Sequence, residues 1–354
     1  MKGAIIAFTD RGEATGRRLA ESFGNLTLER CPAEGLREWT RRHFQTGRVL
    51  VFVGAAGIAV RAIAPLLRRK DVDPAVLVID EEGRYVIPLL SGHLGGANEL
   101  AWEMAGVLGA TAVITTATDL RGVFAVDLWA RQQNLAVENP EAIRQVSSRL
   151  LRGDPVAVRS AVEIEGSLPP GLHMAAPAEE ALLSIGLSGP GLRLWPRDRV
   201  LGIGTRKGIP EEAVMAALER LLAETGMSPF RIAAVATLDL KAEEPAILSL
   251  CRRLSCPLRT FSSAELSALP GHFTSSDFVR EVTGVDNVCE RAAVLAGGGE
   301  LIVSKRAGGG VTLAVAGRPQ PLCWDWRESN GRTDHRGPGT GRAGGHDSGG
   351  QGRP

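Results

Sequence analysis

Val49–Val53 reads Val-Leu-Val-Phe-Val, an apolar run with no polar interruption. A strand of this kind has no face to offer to water. It belongs in a sheet covered on both sides, which points to parallel strands flanked by helices. Gly54-Ala55-Ala56-Gly57 follows at once as a turn, and Ile58–Leu67 has helical spacing. The alternation recurs on either side. Lys2–Phe8 predicts a strand and Gly12–Phe23 a helix; Leu26–Leu28 a weak strand and Leu36–Phe44 a helix. Ala75–Asp80 is a second buried strand, with a turn at Glu82-Gly83 before a strand over Tyr85–Leu90. A helix over Asn98–Leu108, a strand over Ala112–Thr115 and a helix over Phe124–Asn134 complete the series. This is the α/β class, with a mainly parallel sheet in an N-terminal domain over residues 1–138.

From residue 139 the texture changes. Glu141–Leu151 predicts a helix and Pro155–Val158 a strand, but Glu163–Pro190 is rich in Gly, Pro and Ser with weak periodicity. Residues 139–195 therefore read as a small middle domain or connector. Residues 196–318 form a second α/β domain. Its strands are expected at Val200–Ile203, Ile232–Thr237 and Leu258–Phe261, its helices at Ala213–Glu224, Glu244–Leu254, Ser262–Ala268, Ser276–Val282 and Asn287–Ala296, and a closing hairpin at Leu301–Ser304 and Val311–Ala316. Residues 319–354 are expected to be a disordered tail, because Gly331–Pro354 has almost nothing to bury.

Charge and cysteine content narrow the function classes. With 41 basic and 40 acidic residues, nothing demands nucleic acid or an anionic membrane as partner. No apolar run approaches the ~20 residues needed to span a bilayer, and the N-terminus lacks a signal-peptide pattern. The 5 cysteines are scattered and odd in number, which suits free thiols in a reducing cytoplasm. Neither they nor the 6 histidines show metal-ligand spacing, so no metal site is expected.

Three loops carry the chemistry-bearing residues. Ser91–Asn98 reads Ser-Gly-His-Leu-Gly-Gly-Ala-Asn. Gly92, Gly95 and Gly96 allow close approach of a ligand or positive φ, and a helix starting near Asn98 would aim free N–H groups at whatever binds there. His93 is the one side chain of the loop able to move a proton near neutral pH; a tight structural turn is the alternative. Gly54 and Gly57, with Arg61 a turn further on, could hold an anionic group, but the loop matches neither a dinucleotide nor a Walker pattern, and a plain βα turn would look the same. Both loops follow strands, so they are expected to line one cleft. Gly202–Gly208 is a basic glycine loop in which Arg206 and Lys207 precede a helix opening at Pro210, a trap for carboxylate or phosphate, with a solvated loop as the alternative. Asp119 follows a strand and could orient His93, bind ligand or cap the next segment. Glu290 and Arg291 read as helix-face charges, and Lys305-Arg306 as a hairpin rim able to meet an acidic ligand. No nucleophile elbow is present.

In order, these residues resemble the cobalt-precorrin-5A hydrolase (CbiG) family. Its N-terminal region is matched by Val53-Gly54-x-x-Gly57-Ile58 with Arg61 and Ala64-Pro65, by Val78-Ile79-Asp80, by Ser91-Gly92-His93-x-Gly95-Gly96-Ala97-Asn98 and by Thr115–Asp119. Its C-terminal domain, which also occurs alone in the aerobic cobalamin pathway, is matched by Gly202–Gly208, Thr237-Leu238-Asp239-x-Lys241, Gly284–Ala293 and Lys305. The likeness spans residues 1–318 and is weakest in the middle.

The resemblance implies a reaction of anaerobic cobalamin biosynthesis. Water opens the δ-lactone of a cobalt-bound contracted macrocycle, and the extruded ring carbon leaves with its methyl group as acetaldehyde. The expected partner is this small-molecule corrinoid precursor, together with other enzymes of the pathway; no cofactor is expected, since cobalt arrives with the substrate. A lactone carbonyl needs an activated water and donors for the oxyanion. His93 is the expected acid–base group, and the N–H groups of Gly95, Gly96 or Ala97 the expected donors. Substrate contacts are expected from Gly54, Gly57, Gly92, Gly95, Gly96, Asn98 and Asp119, and from the cations Arg61, Arg206, Lys207 and Lys305 toward acetate and propionate groups. A tetrapyrrole carrier without hydrolytic activity and a nucleotide-dependent transferase are the competing readings.

Overall fold

The apolar runs and intervening helices fold into three sheets in a computed structural model that describes residues 2–33, 35–69, 72–116, 121–275 and 284–325. The first contains β1 (Gly3–Ala7), α1 (Asp10–Ser22), β2 (Leu26–Arg30), α2 (Leu36–His43), β3 (Val49–Val53), α3 (Ala56–Ile63), β4 (Ala75–Ile79), β5 (Tyr85–Leu90), α4 (Ala97–Leu108) and β6 (Thr111–Ala112). Strand order is β2-β1-β3-β4-β5-β6. Every residue of β1, β3 and β4 is buried. Alternate side chains divide between two cores. Ile5, Val51 and Leu77 meet Leu19 of α1 and Met104 of α4, while Ile6, Phe52 and Val78 meet Trp39 of α2 and Ile63 of α3. The uninterrupted apolar strands thus do mark a sheet covered on both faces.

β5 breaks the parallel pattern. Gly83, at φ +70°, donates its N–H to the Asp80 carbonyl (2.9 Å), and the Asp80 carboxyl accepts from the N–H groups of Arg84 (2.8 Å) and Tyr85 (2.7 Å). This Asx-type turn folds β5 back antiparallel on β4, with Ile79 opposite Val86 and Val76 opposite Leu90. The end of β5 therefore lies at the start of β4. Gly54 lies at the other end, its N–H on the carbonyl of Ile79 (2.8 Å). The two glycine loops sit at opposite ends of the sheet and do not share a cleft, contrary to expectation.

The middle of the chain is a sheet in its own right. It comprises α5 (Val126–Gln132), β7 (Leu135–Val137), α6 (Ile143–Arg152), β8 (Val156–Ser160), β9 (Leu172–Met174), β10 (Leu183–Ile185) and β11 (Leu192–Pro196), in strand order β7-β11-β10-β8-β9. β9 and β10 are too short to show a period in the sequence. Residues beyond the last strand return to this core, which corrects the expected onset of disorder at residue 319. Leu322 and Trp324 are buried, Trp324 stacks on Trp129 at 4.7 Å and 14°, and the Trp129 indole donates to the Cys323 carbonyl (2.8 Å). The polar low-complexity stretch begins only after these apolar residues, and 326–354 lie outside the described residues.

The third sheet holds β12 (Arg199–Thr205), α7 (Glu211–Thr225), β13 (Ile232–Leu238), α8 (Pro245–Leu254), β14 (Leu258–Phe261), α9 (Ser263–Ala268), α10 (Val288–Gly297), β15 (Leu301–Gly308) and β16 (Val311–Gly317). Strand order is β14-β13-β12-β16-β15; β12, β13 and β14 run parallel and β15–β16 is the expected hairpin. The helix expected over Ser276–Val282 lies outside the described residues. Among the described residues no helix is long and apolar enough to cross a membrane.

Candidate functional site

Ser91–Asn98 is a loop closed on itself. Ser91 takes φ +57° and its hydroxyl donates to the Asp73 carbonyl (2.9 Å). The N–H groups of Gly96, Ala97 and Asn98 donate to the carbonyls of His93 (3.0 Å), Ser91 (3.2 Å) and Gly92 (3.0 Å). The loop's own carbonyls therefore take up the N–H groups of Gly96 and Ala97, two of the three expected oxyanion donors. Close packing by itself demands glycine in this loop. A Cβ at Gly92 would come within 2.7 Å of Asn98 Oδ1, and one at Gly95 within 2.4 Å of Ser91 Cβ. Gly96, at φ +78°, lies against the Arg131 guanidinium of α5. Asn98 is buried and donates through Nδ2 to Thr116 Oγ1 (3.0 Å).

His93 is 8% exposed, at the junction between this loop and α5. Its Nδ1 lies 3.0 Å from Oδ1 of Asp127, a residue that the reading of the sequence did not single out. Asp127 follows 34 positions later on an element of the next sheet, and no spacing rule connects them. Asp119, which could orient His93, bind ligand or cap the next segment, lies outside the described residues.

Gly54 extends the β3–β4 ladder, and the Gly57 carbonyl accepts from Arg61 Nη1 (3.2 Å), so Arg61 folds back on its own helix. This is the geometry of a plain βα turn.

Arg206, Lys207 and Lys305 come together. A cleft of about 980 Å³ opens beyond the carboxyl ends of β12 and β13 and at the start of α10, where parallel sheets bind ligands. Leu238, Leu240, Val288 and Val311 give it apolar walls, and Arg206, Lys207, Lys241 and Lys305 line it with cations. Lys241 is paired with Glu244 (2.9 Å), whose other oxygen accepts the Gly208 N–H (3.1 Å) and ties the basic loop to the start of α8. The Arg206 guanidinium lies against Gly310 in the hairpin turn. Thr205, in the wall, has a buried hydroxyl with no hydrogen-bond partner among the described residues.

Glu290 lies under this cleft at 1% exposure and is not the helix-face charge expected. Its carboxyl accepts from the Thr274 N–H (2.7 Å) and hydroxyl (2.9 Å), from Asn287 Nδ2 (2.7 Å) and from the Lys305 N–H (2.6 Å). The signal for this was present: Asn287 caps α10 and Glu290 stands at its third position, the spacing of a capping box. Beside it, burial pushes the Cys289 thiol up to about 11. Among the described residues no group of three or more His, Cys, Asp or Glu could hold a metal ion.

No residue of the first two sheets, His93 included, lines the cleft.

Comparison with known proteins gives three matches along the chain. Residues 38–119 match the family described as Cobalamin synthesis G N-terminal, 124–183 the Cobalamin biosynthesis central region, and 199–316 the Cobalamin synthesis G C-terminus. A Salmonella typhimurium protein named Cobalt-precorrin-5A hydrolase is 35% identical over 88% of this chain and 96% of its own length. A protein of the same name from Priestia megaterium is 31% identical over 77% of this chain and 79% of its own. A Sinorhizobium protein named Protein CobE is 39% identical over 33% of this chain and 79% of its own.

Proposed function

The chain belongs to the CbiG family of cobalamin biosynthesis, and on that premise we propose that it is a cobalt-precorrin-5A hydrolase, opening the δ-lactone with water and releasing acetaldehyde to give cobalt-precorrin-5B. The observation that carries the reading is the C-terminal cleft. Its volume of about 980 Å³, with apolar walls edged by Arg206, Lys207 and Lys305, suits a broad apolar macrocycle fringed with carboxylates.

Hydrolysis divides the work between protein and substrate. His93 does not line the cleft, so the reading requires the lactone edge of the macrocycle to reach it; there His93 takes a proton from water as the water oxygen attacks the lactone carbonyl. The tetrahedral intermediate expels the ring oxygen, which recovers the proton from His93, leaving a carboxylic acid and a secondary alcohol. Loss of the alcohol proton then forms the carbonyl of acetaldehyde. The electron pair of the broken carbon–carbon bond passes into the macrocycle, which is protonated in turn. Substrate and water become product and acetaldehyde, with the cobalt macrocycle as electron sink, so the reaction needs no resident cofactor. One relative aligns over only 33% of the chain, and the relatives named as hydrolases over 77–88%. The reading places the enzyme in the cytoplasm, where its thiols stay reduced.

The test is incubation with cobalt-precorrin-5A and assay of acetaldehyde. One equivalent per turnover is expected. His93→Ala is expected to lower kcat by ~10²-fold or more with binding nearly intact. Tight binding with no aldehyde from the wild-type protein overturns the hydrolase in favour of a carrier.

A further inference from the structure

Histidine can act as a base only through a nitrogen that carries a lone pair, and which nitrogen that is depends on the hydrogen bond made by the other. His93 Nδ1 lies 3.0 Å from Asp127 Oδ1. An ionised carboxylate only accepts, so this contact keeps the proton on Nδ1 and the lone pair on Nε2. The carboxyl group is itself pinned, because the same Oδ1 accepts the Leu128 N–H at 3.1 Å. Its helix is pinned in turn. Val126, Leu128, Trp129 and Ala130 are buried, and Trp129 stacks on Trp324.

α5 is clamped to α4 by an ion pair between Arg131 and Glu99, and Gln132 Nε2 donates to Glu99 Oε1 (3.4 Å). The histidine–carboxylate contact, at 8% and 13% side-chain exposure, lies beside this clamp and fixes the orientation of the ring.

We propose that Asp127 is the positioning residue for His93, holding the imidazole in its Nδ1–H form and facing the imidazolium that forms when His93 takes the proton from water. Two units of the chain thereby assemble one proton-transfer group, the histidine from the first sheet and its orienting carboxylate from the second. The proposal rests on the acid–base role given to His93 above.

Two measurements on the full-length protein test it: acetaldehyde release from cobalt-precorrin-5A, and the tautomer of His93 from ¹⁵N spectra of histidine-labelled protein, assigned by difference with His93→Ala. Asp127→Asn, which keeps shape and removes charge, is expected to lower kcat by ~10²-fold or more while KM changes by less than about threefold. Asp127→Ala is expected to move His93 toward the Nε2–H tautomer, and Asp127→Glu to recover about tenfold of the loss. Wild-type kcat in Asp127→Asn while His93→Ala is inactive overturns the role of Asp127 alone, as does an unchanged His93 spectrum in Asp127→Ala. Wild-type turnover in His93→Ala overturns the reading beneath it.

Discussion

Glu290 joins three segments with one carboxyl group: Thr274 from a loop, Asn287 at the cap of α10 and the backbone of Lys305 in β15. Removing it leaves four donors facing a cavity. Glu290→Ala is expected to destabilise the C-terminal unit by about 3 kcal/mol or more, read as a lowered Tm, and to weaken corrinoid binding because Lys305 loses its anchor. The sequence already held the cap spacing, but burial depends on a loop and a hairpin folding over the residue from either side, and helix periodicity carries no trace of that. Cys289 lies beside it. Its thiol, pushed up from 9.0 to about 11 by burial, keeps its proton at neutral pH. A folded-state value above the unfolded one means that the stabilisation is present below 9.0 and is lost as pH rises toward 11. At pH 8, iodoacetamide is expected to label the exposed Cys31 rapidly and Cys289 only on unfolding, read by mass spectrometry.

At the scale of the element, the two glycine loops that look alike in the sequence do different things. The Ser91–Asn98 turn is crowded enough that a Cβ at Gly95 would lie 2.4 Å from Ser91 Cβ. Gly95→Ala is expected to destabilise by about 1–3 kcal/mol, with a lower Tm and a matching fall in turnover as His93 shifts. In contrast, the Gly204–Gly208 loop opens into the cleft with Arg206 and Lys207 exposed. Joint replacement of Arg206 and Lys207 by glutamine is expected to raise KM and flatten its dependence on salt, leaving kcat close to wild type. An affinity equally salt-dependent in both proteins would remove these cations from the substrate contacts. Both strand-to-helix transitions were legible, because glycine turns after apolar runs are local signals. Their placement was not, because the direction of β5 is decided by a hairpin at Asp80–Gly83 and not by the loop that follows it.

Across the whole molecule, the segment after β16 acts as a strap. Residues 319–325 leave the third sheet and close over the second, with Trp324 stacked on Trp129 and Cys323 bridged to Glu165. Trp129 lies on the helix that carries Asp127, so the strap supports the His93 junction from behind. Trp324→Ala is expected to cost about 3–5 kcal/mol in the middle unit and to lower turnover more than it lowers binding at the C-terminal cleft. Equal loss of both would contradict that separation.

Local physics written in the sequence determined the α/β class and most of its elements. A five-residue apolar strand cannot face water on either side, and its helices follow at their own period. The order of the glycine and basic motifs along the chain also points to the family. Tertiary structure decided which of these motifs meet. The antiparallel turn of β5 sent His93 away from Gly54, the second sheet brought Asp127 to it across 34 positions, and the third gathered Arg206, Lys207 and Lys305 around one cleft. Those contacts depend on how distant segments close on one another, and a period of two or 3.6 residues carries no information about that.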